Sequence, residues 1–130
     1  MRAADTNILV RLLTADDPDQ FPIAKAFIAD HQVFVPVTVL LETEWVLRRA
    51  YRVERKRITK QLRRLEALPS ISFEDVERVR QAFDLVDAGL DFADALHLAR
   101  SADCTDFVTF DAAIARRAVN ALPPVTLLGG

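Results

Sequence analysis

Four carboxylates in this chain stand in surroundings where an acid has little reason to be: Asp5, Glu42, Asp94 and Asp111. Asp5 follows Ala3-Ala4 and Asp111 follows Phe107-Val108-Thr109-Phe110, each at the end of a short apolar segment and ahead of a run with helical spacing. Glu42 lies within Val39-Leu40-Leu41-Glu42-Thr43-Glu44-Trp45-Val46-Leu47, with Val39, Trp45 and Val46 as its i−3, i+3 and i+4 neighbours. Asp94 lies in Asp91-Phe92-Ala93-Asp94-Ala95-Leu96-His97-Leu98, among small and apolar residues. Carboxylates that meet in a cleft repel one another and either take up protons or require a cation. Mg²⁺ or Mn²⁺ suits such a set, because it prefers carboxylate and water oxygens, keeps part of its water shell, activates a water and neutralises charge on a phosphodiester. Hydrolysis of a phosphodiester is the chemistry implied.

Every one of these acids also has a purely structural reading. Asp5 and Asp111 precede helices and could simply cap them. Asp91 and Asp94 have the spacing of a cap and its reciprocal acid. A helical wheel alone does not separate Glu42 from Glu44, whose neighbours are Leu40, Leu41 and Leu47. Other ligand sets are excluded more firmly. Cys104 is the single cysteine, so neither an internal disulfide nor a multi-cysteine metal site is available, and the two histidines, His31 and His97, make a poor zinc set. Any metal must be held by oxygen.

The elements that would position the acids follow from periodicity and punctuation. Ala3-Ala4-Asp5 reads as a first strand entering a helix from Thr6 to about Ala15, with Ile8, Leu9, Leu12 and Leu13 at helical spacing. Asp16-Asp17-Pro18 ends it, and a second helix from about Asp19 to Asp30 leads to the strand Val33-Phe34-Val35. With Thr38 as N-cap, helices follow over 39–51 and 54–68, then a strand Ile71-Ser72-Phe73, helices over 74–88 and from Phe92 to about Ala102, a strand Phe107-Val108-Thr109, a helix from Ala112 to about Val119, and a last strand Val125-Thr126-Leu127. This alternation predicts an α/β fold with a short parallel sheet covered by helices on both faces. Ligands of such sheets bind beyond the carboxyl ends of the strands, where Asp5 and Asp111 fall.

With 130 residues, 51% of them hydrophobic, one domain with a real core is the expectation. No segment is apolar enough to span a bilayer, and the start lacks a basic stretch followed by an apolar signal core, so a cytoplasmic location is expected. The net charge of −2 by itself argues for neither a general nucleic-acid coat protein nor an acidic tail. Its distribution is uneven: from Arg48 to Arg64 the charges are arginines and lysines opposed only by Glu54.

Taken together, Asp5-Thr6-Asn7, the Val39–Leu47 segment, Asp91-Phe92-Ala93-Asp94-Ala95-Leu96 and Thr109-Phe110-Asp111 resemble, in order and separation, the PIN-domain family and specifically its VapC-like toxins. The resemblance runs from about residue 2 to residue 128. It implies one PIN domain over 1–130 and an acid quartet of Asp5, Glu42, Asp94 and Asp111 that binds Mg²⁺ or Mn²⁺ and cleaves RNA. It favours Glu42 over Glu44, matches Thr6 to a hydroxyl residue that orients a carboxylate, and gives Asp91 a supporting place. It further implies a homodimer, neutralised by a small VapB-like antitoxin that places an arginine or bulky residue in the acidic cleft. Part of the family is inactive, so a catalytically silent scaffold that binds RNA or a protein partner is the rival reading. A phosphatase using Asp5 as nucleophile ranks below both, because Asn7 stands where such enzymes carry a second aspartate.

Arg48, Arg49 and Arg52 are candidates for meeting RNA phosphates or an acidic antitoxin tail, although Arg48/Arg52 and Lys56/Lys60 also have the spacing of a solvated helix face. Trp45, Tyr51 and the phenylalanines are expected in the core rather than stacked on bases. His97 is expected to be structural, and Cys104 to be a small buried residue.

Overall fold

Strand-forming triplets in this chain are very short, and the computed structural model, which describes residues 1–129, shows how they are used. Chain contacts divide the molecule into two compact units, Met1–Val76 and Glu77–Gly130.

In the first unit β1 (Arg2–Ala3), β2 (Val33–Val35) and β3 (Ile71–Phe73) form a parallel sheet in the order β1-β2-β3. The register pairs Arg2 with Val33, and Val33 with Ile71. Around it run α1 (Thr6–Thr14), α2 (Gln20–Asp30), α3 (Val37–Arg49) and α4 (Arg55–Glu66), with α1 packed on both α2 and α3, and α4 on α3 and β3. Val33, Val35, Leu9, Leu40, Leu47, Ile58 and Leu62 are almost wholly buried. Each such side chain contributes about 1.5–3 kcal/mol of burial, before the entropy of ordering the chain is set against it.

Two helices differ from expectation. α1 starts at Thr6 as expected and buries Leu9, but with Thr6 and Val10 in place of Ile8, Leu12 and Leu13. α3 begins at Val37, with Pro36 as N-cap, so Thr38 lies inside the helix and does not cap it. Pro36 has φ −61° and ψ 151°, an extended conformation its ring favours, and its carbonyl accepts from Val39 N and Leu40 N. The first N–H of α3, that of Val37, donates to Glu74 Oε1 at 2.8 Å. A side chain from well down the chain performs the capping that Thr38 was expected to supply.

The second unit contains α5 (Val76–Asp87, whose first residue closes the first unit), α6 (Phe92–Ala99), β4 (Phe107–Thr109), α7 (Ala112–Arg117) and β5 (Val125–Leu127). β4 and β5 pair in parallel, Phe107 with Val125. Phe83 and Phe92 stack with centroids 5.8 Å apart, tying α5 to α6 at the heart of this unit's core. Gly89 closes the α5–α6 turn at φ +109°, a conformation that side-chain-bearing residues rarely adopt. The α/β class and the wholly parallel pairing stand as expected, with the strands distributed over a three-stranded and a two-stranded sheet. Among the described residues no helix is long and apolar enough to cross a membrane.

Three side chains expected inside are outside, among them Phe110, 81% exposed just after β4. Trp45 is 54% exposed, because α3 turns Thr43, Glu44 and Leu47 inward and leaves position 45 on its outer face. Cys104 is exposed in the turn after α6, which ends at Ala99 instead of reaching position 102.

Candidate active site

Asp5 leaves β1 and becomes the N-cap of α1, with extended backbone (φ −83°, ψ 165°) and Oδ1 accepting from Thr6 N at 2.7 Å. Thr6, the first helical residue, is buried, and its hydroxyl donates to Glu42 Oε1 on α3. One threonine therefore touches both acids, the first through its backbone and the second through its side chain. The two carboxylates come from positions 37 residues apart, and they line one cleft because α1 packs on α3.

The surrounding cleft has a volume of about 440 Å³. α1 contributes Thr6, Asn7, Val10 and Arg11, the i, i+1, i+4, i+5 face of the helix; α3 contributes Glu42 and Val46, one turn apart, with Ala50 beyond its end. Tyr51 completes the wall. Asp5 and Glu42 are both exposed here. Glu44, the rival acid on α3, is buried and paired instead with Arg48, whose Nε lies 3.1 Å from its Oε2. The choice between Glu42 and Glu44, which a helical wheel left open, follows in the structure from which face of α3 meets α1.

The remaining acids lie in the second unit. Asp91 caps α6, accepting from Ala93 N at 3.1 Å, and Asp94 sits half-buried in that helix's first turn. Asp111 caps α7, its Oδ1 accepting from Ala113 N at 2.8 Å and Ile114 N at 3.4 Å. Asp5, Asp91 and Asp111 thus do the capping work that short helices need, worth about 1 kcal/mol each. The caps of Asp5 and Asp111 run through Oδ1, which leaves Oδ2 of each available to a ligand. Among the described residues, no group of three or more His, Cys, Asp or Glu side chains is arranged to hold a metal ion. Within the first unit the donors are two carboxylates and a hydroxyl, all hard oxygens. That set fits Mg²⁺ or Mn²⁺, which binds through one or two carboxylates and otherwise keeps water or takes substrate oxygens.

The basic run divides. Arg48 is held against Glu44, half-buried on α3. Arg49 is exposed at the helix end, and Arg52 is exposed in the following turn with φ +55°. Because α3 stops at Arg49, the i,i+4 relation of Arg48 to Arg52 is not realised on a helix face. His97 is exposed on α6.

Three wall residues escaped the reading of the sequence: Asn7, Arg11 and Tyr51. Arg11 had a visible signal, as the single charge in Asn7-Ile8-Leu9-Val10-Arg11-Leu12-Leu13. Tyr51 had none, since only the packing of α1 on α3 brings it to the cleft. Compared with known families, the chain matches the model described as PIN domain over residues 3–120, a span that holds Asp5, Glu42, Asp91, Asp94 and Asp111. No curated protein matches the chain.

Proposed function

The chain belongs to the PIN domain family, whose members are generally nucleases, and from that premise we propose that it is a metal-dependent endoribonuclease of the VapC-like toxin kind. The observation that carries this reading is the shared anchoring of Asp5 and Glu42 on Thr6 at the open cleft of the first unit. Paired exposed carboxylates anchored on one threonine, one through its backbone N–H and one through its hydroxyl, are an arrangement that a cation needs and helix capping alone does not.

Asp5 and Glu42 would hold Mg²⁺ or Mn²⁺, and the family resemblance adds Asp94 and Asp111 to the same reaction. The ion, when bound, supplies an activated water and neutralises charge on the phosphodiester. Thr6 restricts Glu42 to one rotamer by donating to Oε1, so the other oxygen keeps a fixed direction. Asp91, by capping α6, sets the helix start from which Asp94 projects. Arg49 and Arg52 attract RNA phosphate or the acidic tail of a VapB-like antitoxin, and Arg48 contributes through its grip on Glu44. A homodimer, and a cytoplasmic location, belong to the same reading.

A silent PIN scaffold that binds RNA or a protein partner is the alternative, favoured by the capping roles that already account for Asp5, Asp91 and Asp111. The deciding experiment is cleavage of an end-labelled structured RNA pool by the antitoxin-free protein in Mg²⁺, in Mn²⁺ and in EDTA, beside Asp5→Asn. Metal-dependent cutting that disappears in the variant is expected. A folded protein that binds RNA and cuts under no condition would transfer the reading to the scaffold.

A further inference from the structure

Arg11 lines not one cavity but two. The first is the cleft that holds Asp5 and Glu42; the second, about 240 Å³, lies between α1 and α2 against Ile8, Gln20 and Ile23. Asn7 and Arg11 belong to both, so the guanidinium stands on the wall shared by the acidic cleft and the second cavity.

The guanidinium is held in a fixed plane. Its Nε donates to Gln20 Oε1 at 2.7 Å, its Nη1 donates to the Tyr51 hydroxyl at 3.2 Å, and Nη1 lies 3.6 Å from Asp16 Oδ1. The Tyr51 hydroxyl in turn donates to Asp16 Oδ2 at 2.8 Å, and Thr14 Oγ1 donates to Asp16 Oδ1 at 2.7 Å. Asp16 is thereby held below its ordinary carboxylate range, first by Thr14 and then by Tyr51, with Arg11 only the weakest contributor. Asp16 is solvated and shared among several donors, so it cancels little of the Arg11 charge. The close partners, Gln20 and Tyr51, are neutral. Neutral acceptors orient a guanidinium without discharging it, and Nη2 has no partner among the described residues. A planar cation fixed on one edge and open on another is prepared for a phosphate.

We propose that Arg11 is a substrate-binding residue that grips an RNA backbone phosphate at the wall of the Asp5–Glu42 cleft. The inference rests on the nuclease reading above and names the chain's own contact to the substrate backbone. Its contact is independent of base identity, because a phosphate carries no sequence information.

Binding of a short single-stranded RNA to the full chain tests this, measured between about 50 and 200 mM KCl, with Ca²⁺ replacing Mg²⁺ and the RNA checked for integrity afterwards. For Arg11→Gln the slope of log affinity against log salt should fall by about 0.7, the loss of one single-strand phosphate contact, and binding should weaken equally for unrelated sequences. Arg11→Lys should keep the slope while weakening binding. An unchanged slope in Arg11→Gln overturns the proposal, as does an equal fall in Arg11→Lys, which would mark a structural effect. Should Arg11→Gln not fold, Tyr51→Phe frees the guanidinium plane without removing charge: weaker binding at the original slope supports the proposal, and unchanged binding overturns it. Failure of the nuclease reading looks different, since the unaltered protein would then cut no RNA in Mg²⁺, whatever the salt slope of its binding in Ca²⁺.

Discussion

The two units use parallel strands to opposite ends. In the first, β2 and β3 alternate buried, half-buried, buried, with Val33 wholly covered, and the sheet is a core element on which helices rest. In the second, β4 and β5 have no fully buried position, and Val108 is 49% exposed. The acids divide along the same line. Asp5 and Glu42 are joined by a tertiary contact through Thr6, whereas Asp91, Asp94 and Asp111 are placed by the local geometry of helix starts. Acids positioned by packing can therefore be compared with acids positioned by capping, and the two should respond differently to mutation.

The largest test of that contrast is the nuclease activity itself. Asp5→Asn and Asp94→Asn, one from each unit, are each expected to lower the rate of metal-dependent RNA cleavage by about 100-fold or more, since even partners of metal ligands commonly cost 10- to 100-fold. Circular dichroism should show both folded. Full activity in Asp94→Asn alone would confine the chemistry to the first unit.

Arg48→Ala should destabilise the protein by about 3 kcal/mol in denaturant unfolding, because it strands the buried Glu44 carboxylate. Arg49→Ala, at the exposed helix end, should stay within about 0.5 kcal/mol. Equal costs would mean that Arg48 and Glu44 are not the buried pair their geometry indicates.

Between the sheets, Val33→Ala should cost about 2 kcal/mol and Val108→Ala under about 0.5 kcal/mol. If Val108 proves as costly as Val33, something covers the β4–β5 sheet in solution, and a homodimer would be the first candidate. Chemical denaturation at two protein concentrations distinguishes that case.

The smallest effect concerns Asp16. Its pKa in the folded chain lies below the ordinary value of 3.8, so the unfolded state binds more protons near that pH and stability rises with pH. The contribution is fully present above about 3.8 and is lost as pH falls through the lower folded value. Stability measured against pH should therefore fall faster for the unaltered protein than for Asp16→Asn, and parallel curves would remove Thr14 and Tyr51 as partners of the charged form.

Much of the fold was legible in the sequence. The strands Val33-Phe34-Val35, Ile71-Ser72-Phe73, Phe107-Val108-Thr109 and Val125-Thr126-Leu127 occupy the residues expected, because short apolar triplets bounded by Pro, Ser or Asp admit few other assignments. Each expected helix is present, with ends shifted by a few residues where caps competed. The start of α3 was not legible, since Glu74 supplies the cap from a different element. Trp45, Cys104 and Phe110 were placed wrongly for a related reason: an apolar or small residue near a helix is buried only if a neighbour arrives on that face.

By itself, then, the sequence determined the local chemistry: which acids start helices, where the parallel strands lie, and that any metal must be held by oxygen. The family's motifs are carried by the same local signals. Tertiary structure alone decided that Glu42 rather than Glu44 meets the cleft, that Thr6 bridges it to Asp5, and that Tyr51 reaches Arg11. The physical reason is that capping and periodicity act over a few residues, while a helix face acquires its meaning from the partner packed against it.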